Sequence, residues 1–148
     1  MTAGVYDSIL VPVDGSDASG QAVEHASQLA QEHDARLHLV TVVEFPEARA
    51  VGAADSLSDQ AVETMADQGE TLVEQAAAGV PDELSVVTVV EEGTPSETIT
   101  EHAASLDADL IVMGSHGRSG LERLALGSTT ERVVRRADVP VLTVHPTD

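Results

Sequence analysis

Ala108-Asp109-Leu110-Ile111-Val112-Met113 runs directly into Gly114-Ser115-His116-Gly117, and nine residues later the chain reads Gly127-Ser128-Thr129. A strand-like apolar run is followed by glycines, and the glycines by a helix-like run, Glu131-Arg132-Val133-Val134-Arg135-Arg136. Glycine lets backbone N–H groups approach an anion with no Cβ in the way. A helix that begins at the same place directs its positive dipole end there. Strand, glycine cradle and helix start, in this order, predict a phosphate site and with it a nucleotide-binding protein.

Strand and helix patterns alternate on both sides of this segment. Residues 5–13, 36–43, 84–90, 108–113 and 139–144 read as strands. A first helix runs to about His33, capped by Ser16 or Asp17, with Ala22, Ala26, Leu29 and Ala30 on one face. Residues 44–56 read as a long loop, and residues 57–78 as a helix that stops at Gly79 and Pro81. Thr94-Pro95-Ser96-Glu97 carries the marks of a capping box with proline at the first helical position, and Ile99, Ala103 and Leu106 supply that helix's core face. Ser128-Thr129-Thr130-Glu131 has the same capping-box form. Pro140 demotes the last strand to an edge, or to pairing that leaves one side free. Alternation of this kind predicts one α/β domain over residues 1–148, a parallel sheet with helices on both faces. No internal repeat, low-complexity tract or second domain interrupts it.

The composition bounds the function. The chain has a formal net charge of −19 and no lysine; its seven cations are all arginine. Self-repulsion on that scale penalises a compact state in dilute buffer and is screened at about 1 M salt, where the Debye length is roughly 3 Å. Such a surface resembles those of proteins from extreme halophiles, here a halophilic archaeon. Residues 114–136 are the exception, with five arginines against Glu122 and Glu131. The glycine motif therefore lies in the one basic segment. Arg132, Arg135 and Arg136 read as an ion-paired, solvated helix face. A polyanion with Tyr6 and Phe45 as its only aromatics is a poor partner for nucleic acid. Cysteine is absent, no apolar stretch reaches the roughly 20 residues of a membrane span, and Met1–Asp7 has no basic leader, so a soluble cytoplasmic protein is expected.

The spacing excludes two familiar phosphate sites. GxxxxGK[ST] is missing and has no lysine to complete it, and Asp14-Gly15-Ser16 after the first strand lacks the GxGxxG of dinucleotide folds. In open α/β sheets, ligands bind beyond the carboxyl ends of the strands where strand order reverses. If strands one and four are neighbours there, Pro12-Val13-Asp14-Gly15-Ser16 meets the glycine segment, and a carboxylate suited to ribose hydroxyls or a metal joins the phosphate cradle.

Gly-x2-Gly-x9-Gly-Ser/Thr after a strand, matched by Gly114, Gly117, Gly127 and Ser128, resembles the nucleotide-binding signature of the universal stress protein family. The resemblance extends to Ile9-Leu10-Val11-Pro12-Val13-Asp14-Gly15-Ser16, to Gly93-Thr94-Pro95, to residues 109–117 and to Pro140-Val141-Leu142-Thr143-Val144. It implies a Rossmann-like open five-stranded sheet of order 3-2-1-4-5 and a homodimer joined through strand 139–144. It implies further that Pro12, Val13 and Asp14 lie near base and ribose, and that Val42 meets adenine through its backbone. Met113 and Gly114 would lie by the ribose, and Gly117, Arg118, Gly127, Ser128 and Thr129 would hold phosphates. The ligand implied is ATP, with ADP and AMP as the other candidates and Mg²⁺ as a companion of the phosphates.

Asp14 also suits a plain Asp-Gly turn, and Ser128 a plain helix cap. His116 lies between the glycines without an adjacent acid, so no catalytic residue is assigned. The first functional reading is an ATP-binding stress-response or regulatory protein. A slow Mg²⁺-dependent ATPase is the second, and a nucleotide-independent dimeric scaffold the third.

Overall fold

The computed structural model of the protein describes residues 5–44, 59–115 and 126–146. Most of the expected 44–56 loop, together with His116, Gly117 and Arg118, lies outside them. The elements in chain order are β1 (Ser8–Pro12), α1 (Asp17–His33), β2 (Arg36–Val43), α2 (Asp59–Ala78), β3 (Val86–Glu92), α3 (Pro95–Leu106), β4 (Leu110–Gly114), α4 (Ser128–Arg136) and β5 (Val141–Val144). The strands form one sheet in the order β3-β2-β1-β4-β5, and every pairing is parallel. The expected architecture and strand order are therefore observed. Among the described residues, no helix is long and apolar enough to cross a membrane.

Successive strand side chains point to opposite faces, and here both faces are buried. Ile9, Val11, Leu37, Leu39 and Val112 pack with Ala22, Ala26 and Ala30 of α1 and Val73 of α2. Leu10, Val40, Ile111 and Met113 pack on the other face with Ile99 and Ala103 of α3 and Val133 of α4. That double burial explains why the strands read as unbroken apolar runs. The small side chains of α1 let it approach the sheet closely. A Cβ added to Gly114 would lie 2.6 Å from the Cβ of Ala18, so glycine is required where β4 meets the first turn of α1.

Strand order reverses between β1 and β4, and these two strands share only the pairs Ile9↔Leu110 and Leu10↔Ile111. Pairing between β1 and β2, by contrast, runs from Ser8↔Arg36 to Pro12↔Val40. Beyond Leu10 and Ile111 the central strands diverge, and a crevice opens at their carboxyl ends.

Element ends differ from the sequence expectation for local reasons. The first strand begins at Ser8, where the Asp109 carboxylate accepts the N–H groups of Asp7 (2.8 Å) and Ser8 (3.0 Å). α1 and α3 both end in an aspartate in the left-handed region, Asp34 (φ 57°) and Asp107 (φ 53°). The next alanine in each case bonds back to its helix, Ala35 N–H to the Ala30 carbonyl and Ala108 N–H to the Ala103 carbonyl, both at 2.9 Å. These turns consume Ala108 and Asp109, so β4 starts at Leu110 rather than Ala108. β3 runs past Val90 to Glu92, which an edge strand tolerates because its carboxylates reach water. β5 starts at Val141, because Pro140 contributes only its carbonyl, to Ile111 N–H at 3.0 Å.

Neither capping box forms as expected. Thr94 is the N-cap of α3 but makes no side-chain cap bond; its carbonyl, not its hydroxyl, meets the helix, at Thr98 N–H (2.9 Å). For α4 the N-cap is Gly127 and not Ser128, because the first helical bond runs from Glu131 N–H to the Gly127 carbonyl at 2.9 Å.

Candidate functional site

The crevice between β1 and β4 holds a cavity of about 240 Å³. Its apolar side comes from Pro12 and Val13 after β1, Val40 and Val42 of β2, Ile99 of α3 and Met113 of β4. Its polar side comes from Asp14, Ser16 and Ser19 at the start of α1 and from residues 127–130 at the start of α4. Among the described residues, no cationic side chain lines it.

The turn after β1 is held from several directions. Val13 N–H donates to the Val40 carbonyl at 2.8 Å, and the buried Thr41 hydroxyl donates to the Val13 carbonyl at 3.2 Å. Asp14 Oδ1 accepts Ser16 N–H at 2.9 Å, which closes an Asx turn through Gly15 at φ 83°. A side chain at Gly15 would be strained by that φ and would also push aside the end of the Leu72 side chain, whose Cδ2 is 2.8 Å from where its Cβ would lie. Ser16 caps α1 by accepting Ser19 N–H on its hydroxyl at 3.1 Å, and Ser19 Oγ donates to the Ser16 carbonyl at 3.1 Å. Asp14 therefore serves as a turn residue and also lines the cavity, with its carboxylate orientation set by the backbone.

The start of α4 is organised differently. Among the described residues, no side chain caps it. The first N–H groups of any α-helix lack intrahelical partners, so these are donors directed at the crevice. Their position is fixed by the end of β4. Gly127 N–H donates to the Ser115 carbonyl at 2.7 Å, and Ser115 N–H to the Val144 carbonyl at 2.9 Å. Thr130 Oγ1 donates to the Gly114 carbonyl at 2.9 Å.

Of the residues expected at the site, Pro12, Val13, Asp14, Val42, Met113, Gly114, Gly127, Ser128 and Thr129 line this one cavity. Gly117 and Arg118 lie outside the described residues. Ser16, from the segment expected to meet the glycines, lines it too; Ser19, Val40, Pro95, Ile99 and Thr130 also line it and were not expected there. Two of these could have been found in the sequence: Val40 shares a strand face with Val42, and Ser19 follows Ser16 by one helical turn. Pro95, Ile99 and Thr130 reach the cavity through tertiary packing and carry no local signal.

Among the described residues, charges around the site are sparse. Arg135 pairs with Glu131 at 3.6 Å and Arg136 with Glu97 at 3.9 Å, on the exposed side of α4. Away from the cavity, His102 on α3 contacts Glu91 on β3 at 3.3 Å. Burial holds the His38 imidazole below the usual histidine range, and Arg36 and His102 push it the same way. Among the described residues, no group of three histidines or carboxylates is placed to hold a metal ion.

The fold has close counterparts. The structure of the protein MJ0577 aligns with a TM-score of 0.77 at 27% identity, covering 97% of this chain and 99% of that one. A universal stress protein solved in complex with cAMP aligns with a TM-score of 0.62 at 29% identity, covering 96% and 98%. Universal stress protein MJ0531 of Methanocaldococcus jannaschii is 37% identical over 144 residues, 95% of this chain and 82% of the relative. The sequence profile of the Universal stress protein family matches residues 6–145, from the start of β1 past the end of β5, and the chain belongs to that family.

Proposed function

We propose that this chain binds an adenine nucleotide in the crevice between β1 and β4, and that the occupied crevice is the signal it carries in a cytoplasmic stress response. ATP is the first candidate, with ADP and AMP beside it. The observation that supports this best is the uncapped start of α4 on the wall of a cavity whose other side is apolar. Free helix N–H groups suit a phosphate, and a valine-lined slot suits a purine. The cAMP complex of a relative 29% identical to this chain supports the ligand class.

In this reading Val40, Val42 and Ile99 hold the base, with Val42 contributing backbone groups. Asp14 accepts ribose hydroxyls beside Pro12, Val13, Met113 and Gly114. Gly127, Ser128 and Thr129 hold phosphate, joined by Gly117 and Arg118, and Mg²⁺ offsets the phosphate charge. The working unit is a homodimer. β5 is an edge strand whose four residues are only half buried, so residues 139–144 offer a second copy both backbone and apolar surface.

The test is to purify the chain at high salt, denature it and identify any released nucleotide by chromatography, then titrate ATP, ADP and AMP by calorimetry. Gly127→Val should abolish binding by filling the cradle. An empty protein that gives no heat with any of the three removes the reading. Mg²⁺-dependent phosphate release that vanishes in Asp14→Ala would replace it with an ATPase.

A further inference from the structure

We infer that Thr130 is a positioning residue for the phosphate subsite, an inference that rests on the nucleotide reading above. Thr130 is the third residue of α4 and only 3% exposed. Its hydroxyl hydrogen goes to the Gly114 carbonyl at 2.9 Å, and both residues line the crevice. Gly114 lies beyond the last β1–β4 pair, Leu10↔Ile111, at a level where the two strands have already parted. A carbonyl oxygen there carries partial negative charge at the mouth of an anion site. Left bare, it would repel the phosphate; bonded to Thr130, one of its two lone pairs is occupied and its negative potential toward the ligand falls.

The same bond does a second thing. It ties the first turn of α4 to the last residue of β4, while Gly127 N–H ties the cap residue to Ser115 at 2.7 Å. The first intrahelical bond comes from Glu131 N–H. The N–H groups of Ser128, Thr129 and Thr130 precede it and are carried by a helix end fixed at two points. Donors that do not reorganise when the anion arrives bind it more strongly than mobile ones. Because its one hydrogen is already donated to Gly114, the Thr130 hydroxyl acts through its neighbours and not on the ligand. The tie runs through Thr130 and Gly127 and not through Ser128, the residue in the motif.

The experiment titrates the wild type, Thr130→Val and Thr130→Ser with ATP and with adenosine, by calorimetry at high salt. Valine keeps the shape and removes the donor; serine keeps the donor. Thr130→Val should weaken ATP on the order of tenfold and adenosine by less than about twofold, as for one hydrogen bond serving a charged group. Thr130→Ser should keep both affinities near wild type, and Thr130→Ala takes the place of valine if the latter does not fold. Wild-type ATP affinity in Thr130→Val overturns the inference alone, as does an equal loss for ATP and adenosine, which would mark a merely structural bond. A wild type that binds neither ligand overturns the nucleotide reading and this inference with it.

Discussion

Gly114→Ala tests the close approach that brings β4, α1 and the crevice together. The added Cβ would lie 2.6 Å from the Cβ of Ala18, 2.9 Å from its carbonyl carbon and 3.1 Å from Ser19 N. Carbon–carbon contacts settle near 3.5–4.0 Å, so the helix and the strand end must part by roughly 1 Å. Two of the three atoms are backbone and the third is bonded directly to it, so no rotamer change relieves the clash. Overpacking of this kind costs about 1–3 kcal/mol. For a chain of this length 2 kcal/mol lowers Tm by about 4–8 °C. Gly20→Ala is the control: its Cβ meets nothing within 4 Å, in the same helix. It should stabilise the protein by about 0.5–1 kcal/mol through helix propensity alone. The assay is thermal unfolding followed by circular dichroism, in about 1 M salt so that repulsion is screened. A Gly114→Ala protein that melts at or above the wild-type temperature would refute the packing argument. Ser19 also contacts the Asp14 turn, through Asp14 N–H to Ser19 Oγ at 3.4 Å, so ATP affinity should fall with stability.

The net charge of −19 predicts a Tm that climbs with salt, as the screening length shrinks from about 10 Å at 0.1 M to roughly 3 Å at 1 M; a flat profile would show that self-repulsion is not a main cost of folding. His38 predicts a slope with pH. Its folded pKa lies below its unfolded value, so the unfolded chain binds more protons in between. The His38 contribution is full above the unfolded value near 6.5 and is lost as pH falls toward the folded one. His38→Gln should flatten that acid-side decline in chemical denaturation curves, and an unchanged slope would assign it to other groups.

The architecture was legible because the physics behind it is periodic. Residues 36–43 alternate between two buried faces and were read to the residue. The crevice followed from strand order, and Pro12, Val13 and Asp14 after β1 and Gly114 at the end of β4 were legible in their motifs. The misread features depend on competition between hydrogen-bonding groups. Asp107 closes α3 in a left-handed conformation that glycine usually supplies, and the turn takes up Ala108, so β4 starts at Leu110 and not with its apolar run. At α4 the sequence offers three hydroxyls in a row; Thr130's is spent on Gly114, and the cap passes to Gly127. Ile99 reaches the cavity because α3 lies across β2 and β1, which no local pattern records.

The bond from Gly127 N–H to the Ser115 carbonyl bears on how the chain tolerates change in length. It brings both ends of the intervening stretch together at 2.7 Å. Closing a longer excursion costs little, about 0.6 kcal/mol for each doubling of its length. Folding alone would therefore accept insertions after Ser115 almost freely. An insertion after Ser115 is therefore expected to separate ligand affinity from stability.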